Sequence, residues 1–89
     1  MKKLVNVTEV ENEGLIALMG ENVLLVCMNY FYAGKLVGVN DEFVQLEDAQ
    51  LVYVTGPWST TTWQEAQKLP TSIWYVKTAA VESFGKSNR

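Results

Sequence analysis

Between Gly20 and Ala49 the apolar residues fall into three short runs separated by polar turns. Val23, Leu25 and Cys27 alternate with Leu24, Val26 and Met28. Tyr32, Gly34 and Leu36 then recur at every second position, and Val44 and Leu46 follow the turn residues Asn40 and Asp41. A period of two in apolar side chains is the signature of a strand, so this stretch predicts three consecutive antiparallel strands joined by tight turns. Gly34 lies within the second of them. A glycine inside a strand costs about 0.5–1 kcal/mol relative to alanine, so it implies a sharp bend where another strand packs over the backbone.

The flanks read less regularly. Thr8-Glu9-Val10-Glu11 has the form of a capping box, and Leu15, Leu18 and Met19 offer an apolar helical face ending at Gly20. An N-terminal helix over 8–19 is expected; Leu15 to Met19 as a strand hairpinned through Gly20-Glu21-Asn22 is the alternative. After Val44 the apolar pattern continues through Leu51, Val52, Tyr53 and Val54. That predicts one long strand or a strand kinked near Asp48-Ala49-Gln50, stopped by Gly56-Pro57. Thr62-Trp63-Gln64-Glu65 repeats the capping pattern ahead of Ala66 to Leu69, so about two helical turns are expected there, held only if packed. Trp63 and Leu69 are the expected anchors. Ile73 to Val76 and Val81 to Phe84 read as the last two strands, and Gly85 to Arg89 as a frayed polar tail.

Eighty-nine residues with 48% hydrophobic content fit one domain, 1–89, without a second core. A chain this short buries a modest share of its surface, so association with further copies would add stability. The formal net charge is -3, and four of the seven basic residues, Lys2, Lys3, Lys86 and Arg89, lie near the ends of the sequence. Summed Lys and Arg contacts to phosphate carry nonspecific nucleic-acid affinity, so this balance argues against such binding. A ring of identical copies would still repeat Lys35, Lys68 and Lys77 around its axis. One cysteine, Cys27, excludes an intrachain disulfide and reads as a buried thiol of a cytoplasmic protein. No apolar run is long enough to cross a bilayer as a helix, and Asn6, Thr8, Glu9 and Glu11 stand where the apolar part of a signal peptide would be.

Candidate chemistry is sparse. The chain has no His and one Cys, which removes His-based catalysis and zinc clusters. Asp41-Glu42 and Glu47-Asp48 are close acidic pairs, but neighbours on a strand point to opposite faces and do not converge on one substrate. No enzyme activity, metal or other cofactor is expected. Phe43, Tyr30 and Tyr32 could instead stack on nucleobases or pack in the core. Trp58, Trp63, Trp74 and Tyr75 concentrate aromatic area in the second half, to be buried on the sheet or in a subunit interface, or presented to a partner.

Taken together, Leu15 to Met19, Gly20, Val23 to Cys27, Tyr32-Ala33-Gly34-Lys35-Leu36 and Val44-Gln45-Leu46-Glu47-Asp48-Ala49 resemble the first motif of the Sm and Sm-like (LSm) family. Val76 to Phe84 is similar to the second, with Lys77 in place of the family's Arg and Thr78 in place of its Gly; Ala79 replaces an acidic residue. Between the motifs, 56–71 is an insertion. The turn after Leu36 is one residue short, so Phe43 falls where the family has its nucleotide-contacting Asn.

The resemblance implies a mainly β fold: a small, strongly bent five-stranded antiparallel Sm-like (SH3-like) barrel with an N-terminal helix. It further implies a homo-oligomeric ring of five to seven subunits that binds single-stranded RNA, uridine- or adenine-rich, near its pore. Asn40, Asp41, Phe43 and Lys77 would line that site. Two rival functions remain: a structural or protein-interaction ring that has lost the RNA pocket, and a single-stranded nucleic-acid binder using an open barrel face in the manner of OB-folds.

Overall fold

The computed structural model describes residues 13–89. Six antiparallel strands make up the domain: β1 Asn22–Cys27, β2 Phe31–Val39, β3 Phe43–Val54, β4 Glu65–Lys68, β5 Ile73–Lys77 and β6 Val81–Lys86. The order across the sheet is β4-β3-β2-β1-β6, with β5 also paired to β3. The sheet is open among the described residues, and no ladder joins β5 or β4 to β6. The expected meander from Gly20 to Ala49 is therefore present, with a sixth strand added and without a closed barrel.

β3 carries both β4 and β5 on one side. Its first half pairs with β5, from Phe43↔Lys77 to Glu47↔Ile73, and its second half with β4, from Gln50↔Lys68 to Val54↔Glu65. The change of partner falls at Asp48, whose φ of 52° is left-handed. Asp48 N–H donates to the Ser72 carbonyl at 2.9 Å, and Leu69 N–H donates to the Ala49 carbonyl at 2.9 Å, so the backbone groups at the kink are satisfied. On the opposite side, β2 slips its register against β3 between Ala33 and Lys35. Gly34 lies at that slip. A Cβ there would stand 3.0 Å from both Cα and Cβ of Ala49 and 3.2 Å from the Glu47 carbonyl, which is the close approach that glycine permits.

Both faces of the sheet are covered. Val23, Leu25, Cys27, Leu36, Val44, Leu46, Ala49 and Val76 form the main core, with Leu15, Leu18, Tyr32, Trp74 and Val81 packed around it. On the other face Leu24, Ala33 and Val52 form a smaller core, flanked by Val26, Phe31 and Trp63. The unbroken apolar run Val23 to Cys27 follows from this, because β1 is buried on both sides. No polar or charged side chain is fully buried among the described residues.

Three expectations are corrected. Of the helix expected over 8–19, residues 8–12 lie outside the described residues, and Gly14–Leu18 is a 3-10 helix with no side-chain cap. Gly14 adopts φ 73°, outside the helical region, and Leu15 and Leu18 still reach the core. The helix expected in the insertion is instead a strand: the β3 ladder satisfies the backbone of Glu65–Lys68, whereas two isolated helical turns would not hold. Trp63 nevertheless anchors the segment on the smaller core. Finally, the tail is not frayed. β6 runs to Lys86, Ser87 N–H donates to the Asn22 carbonyl at 2.8 Å, and Arg89 is bound to the insertion.

Candidate nucleic-acid interface

The turn between β2 and β3 is organised by Asn40. Its Oδ1 accepts from the backbone N–H groups of Glu42 and Phe43, both at 2.8 Å. Its own N–H donates to the Phe43 carbonyl at 2.9 Å. Asparagine suits this place because a short amide can close a turn on its own backbone. The consequence for recognition is direct: the carboxamide oxygen is already used and only the amide N–H₂ remains to meet a ligand.

Thr78, immediately after β5, ties the second motif to the same turn. Its N–H donates to the Glu42 carbonyl at 2.9 Å and its Oγ1 to the Asn40 carbonyl at 3.0 Å. The β3–β5 ladder makes Phe43 and Lys77 register partners. Tyr75 precedes Lys77 by two residues and shares its face of β5. Its ring meets Phe43 edge to face, with centroids 5.8 Å apart and planes at 65°. Phe43 is 39% exposed and Tyr75 58% exposed, so neither ring is spent on the core. Asn40, Asp41, Phe43 and Lys77, separated by up to 37 positions in sequence (77 − 40), thus lie together at one end of the sheet, where β3 begins and β5 ends.

Sequence marked Tyr75 only as part of an aromatic concentration and Thr78 only as a replacement in the second motif, and placed neither at this site. The strand period could have found Tyr75 from Lys77; nothing in the sequence pairs Thr78 with Asn40. Among the described residues Lys77 makes no ion pair, and Asp41 and Glu42 stand beside it on the turn. Such a site offers two aromatic faces and one cation per copy, flanked by negative charge.

Lys77 and Tyr75 also line a groove of about 590 Å³, shared with Asn29 and Tyr30 of the β1–β2 turn, Tyr32 of β2 and Glu82 of β6. Tyr30 rests edge-on against Tyr53 at 6.0 Å. Burial raises the Cys27 thiol above its ordinary pKa, and the Glu82 carboxylate adds to the shift. Tyr32 is raised too, first by burial and then by Cys27 and Tyr30. Both shifts favour the neutral form of the group. Among the described residues no cluster of three His, Cys, Asp or Glu side chains could hold a metal ion.

No protein-family model, curated protein or solved structure matches this chain.

Proposed function

We propose that this chain is an Sm-like subunit that assembles into a homo-oligomeric ring and binds single-stranded RNA without catalysis. The observation that carries the reading is the convergence of Phe43, Tyr75 and Lys77 at one end of the sheet, fixed from both sides by Asn40 and Thr78. Exposed aromatic faces accept any base, and a lysine at the rim suits a phosphate. Repeating one such site around a ring multiplies a single cation into a collar, which offsets the negative net charge locally.

The short connection between β5 and β6 supports the same reading. β5 and β6 lie at different margins of the sheet, yet only Thr78–Ala80 separates them. Four Cα steps of 3.8 Å span at most about 15 Å, so the two margins approach each other at this end. Their outer backbone edges are the surfaces that neighbouring copies would pair.

One observation favours the rival, a structural or protein-interaction ring. Asn40 spends its oxygen on its own turn, and Asp41 and Glu42 repel phosphate beside Lys77. Titration of the full chain with fluorescent poly-U and poly-A at two salt concentrations separates the two. Binding that weakens with salt supports RNA; no binding at low salt, with a ring still seen by light scattering, supports the rival.

A further inference from the structure

Glu82 is the residue of β6 that the sheet leaves out of register. The β1–β6 ladder runs through Leu25↔Phe84 and Val26↔Ser83 and then slips to Cys27↔Val81, so Glu82 has no partner on β1. A bulge of this kind re-aims a side chain out of the regular alternation. Glu82 lines the groove of about 590 Å³ together with Cys27. Its carboxylate is close enough to the Cys27 thiol to add to the upward shift that burial causes there.

The same groove holds two opposite charges that do not meet. Lys77 lines it as well, yet the ion pair among the described residues is Lys86 with Glu21, and neither Glu82 nor Lys77 takes part in one. Both side chains are exposed, so each can reach a ligand. The wall they share is apolar, since Cys27 and Val76 are buried, and a hydrogen bond made over such a surface is strengthened. Tyr30 and Tyr75, both largely exposed, add aromatic area. The space is of the size that small organic ligands occupy.

A nucleotide has the matching pair of ends. Its phosphate is an anion for a lysine, and its base is a flat ring for a tyrosine with hydrogen-bonding groups along one edge. An ionised carboxylate accepts only, so it sorts the bases by their donors. Guanine presents N1–H and N2–H₂ side by side, which matches the two oxygens of one carboxylate. Adenine and cytosine each place a single amino group beside a ring nitrogen that accepts, and uracil places its N3–H between two carbonyls. Those lone pairs repel a carboxylate.

We propose that this groove is a guanine subsite of the RNA-binding surface. Glu82 accepts from N1–H and N2–H₂ of one guanine, the base lies among the groove's tyrosines, and Lys77 faces the phosphate. The proposal rests on the RNA reading, with which it shares Tyr75 and Lys77, and it adds the base that is read. That base is neither the uridine nor the adenine that the sequence resemblance implies.

The test is fluorescence anisotropy of the full chain at low salt with labelled oligouridine and with the same oligomer carrying one guanosine, inosine or adenosine at its centre. Guanosine should tighten binding about tenfold, the order that one bidentate base contact carries. Inosine, which lacks the 2-amino group, should gain less, and adenosine nothing. In Glu82→Gln the guanosine gain should vanish while oligouridine binds at least as well, because losing a carboxylate lessens the repulsion of every phosphate. No guanosine gain in the parent chain, a gain that survives in Glu82→Gln, or a rise in that variant that is equal for every oligomer overturns the proposal and leaves the RNA reading standing. Failure of every oligomer to bind removes both.

Discussion

Gly34 and Ala49 approach so closely that a Cβ on the glycine would lie 3.0 Å from both the Cα and the Cβ of the alanine. Two effects of opposite sign then compete in Gly34→Ala. Alanine restricts the unfolded chain, a gain of about 0.4–1 kcal/mol where the site accepts it. Here the obstacle is backbone, which cannot move aside as a flexible side chain would, and overpacking costs about 1–3 kcal/mol. The clash is expected to win, and urea denaturation should show a net loss of roughly 1–2 kcal/mol.

Truncating Phe43 separates binding from stability. Its ring is partly exposed and leans on Tyr75, so Phe43→Ala should unfold at nearly the same urea concentration as the parent chain. If RNA stacks there, affinity for poly-U or poly-A should fall by about 1–3 kcal/mol. Lys77→Ala should instead flatten the salt dependence of binding, because a phosphate contact repeated around the ring is lost.

Asn40 acts on the fold first. Asn40→Ala strips the acceptor from two backbone N–H groups at once, and the expected cost is about 1 kcal/mol by denaturation. Asn40→Asp keeps an acceptor in place and should recover most of it. A loss of RNA affinity in Asn40→Asp with stability intact would place position 40 beside the ligand, through the lost N–H₂ or the added negative charge.

The alkaline limb of stability has a definite sign. Cys27 holds its proton above the ordinary thiol value of 9.0, and Tyr32 above 10.0. The folded state therefore binds these protons more tightly than the unfolded chain. That contribution is complete below pH 9 and is lost as pH rises through the folded-state values. Melting temperature measured under reducing conditions should decline from about pH 9 upward, and less steeply in Cys27→Ala.

Much of this fold is legible locally. The meander from Asn22 to Val54 and the bend at Gly34 follow from period-two patterning and one glycine, because both are consequences of near neighbours in sequence. β4 is not legible, since Glu-Ala-Gln-Lys has no alternation and all four residues are exposed. Its conformation is imposed by the free side of β3, a partner eleven or more residues away (65 − 54). Arg89 is a second case: a lone charge near the end of the sequence reads as solvated, and only the folded insertion brings Trp58, Trp63 and three oxygen acceptors around it. At the interface, Phe43 and Lys77 come from separate motifs, and their adjacency required the register of β3 against β5.

The handover at Asp48 divides one strand between two opening units. Phe43 to Glu47 is held between β2 and β5 over the main core, whereas Gln50 to Val52 is held between β2 and β4 beside the smaller core and Trp63. The second unit has the smaller core and a strand with no buried residue, so its amides should exchange with solvent at a lower free energy than those of the first. Amide exchange along β3 would then step at Asp48, and the Phe43 end would stay ordered while the far half of its own strand breathes.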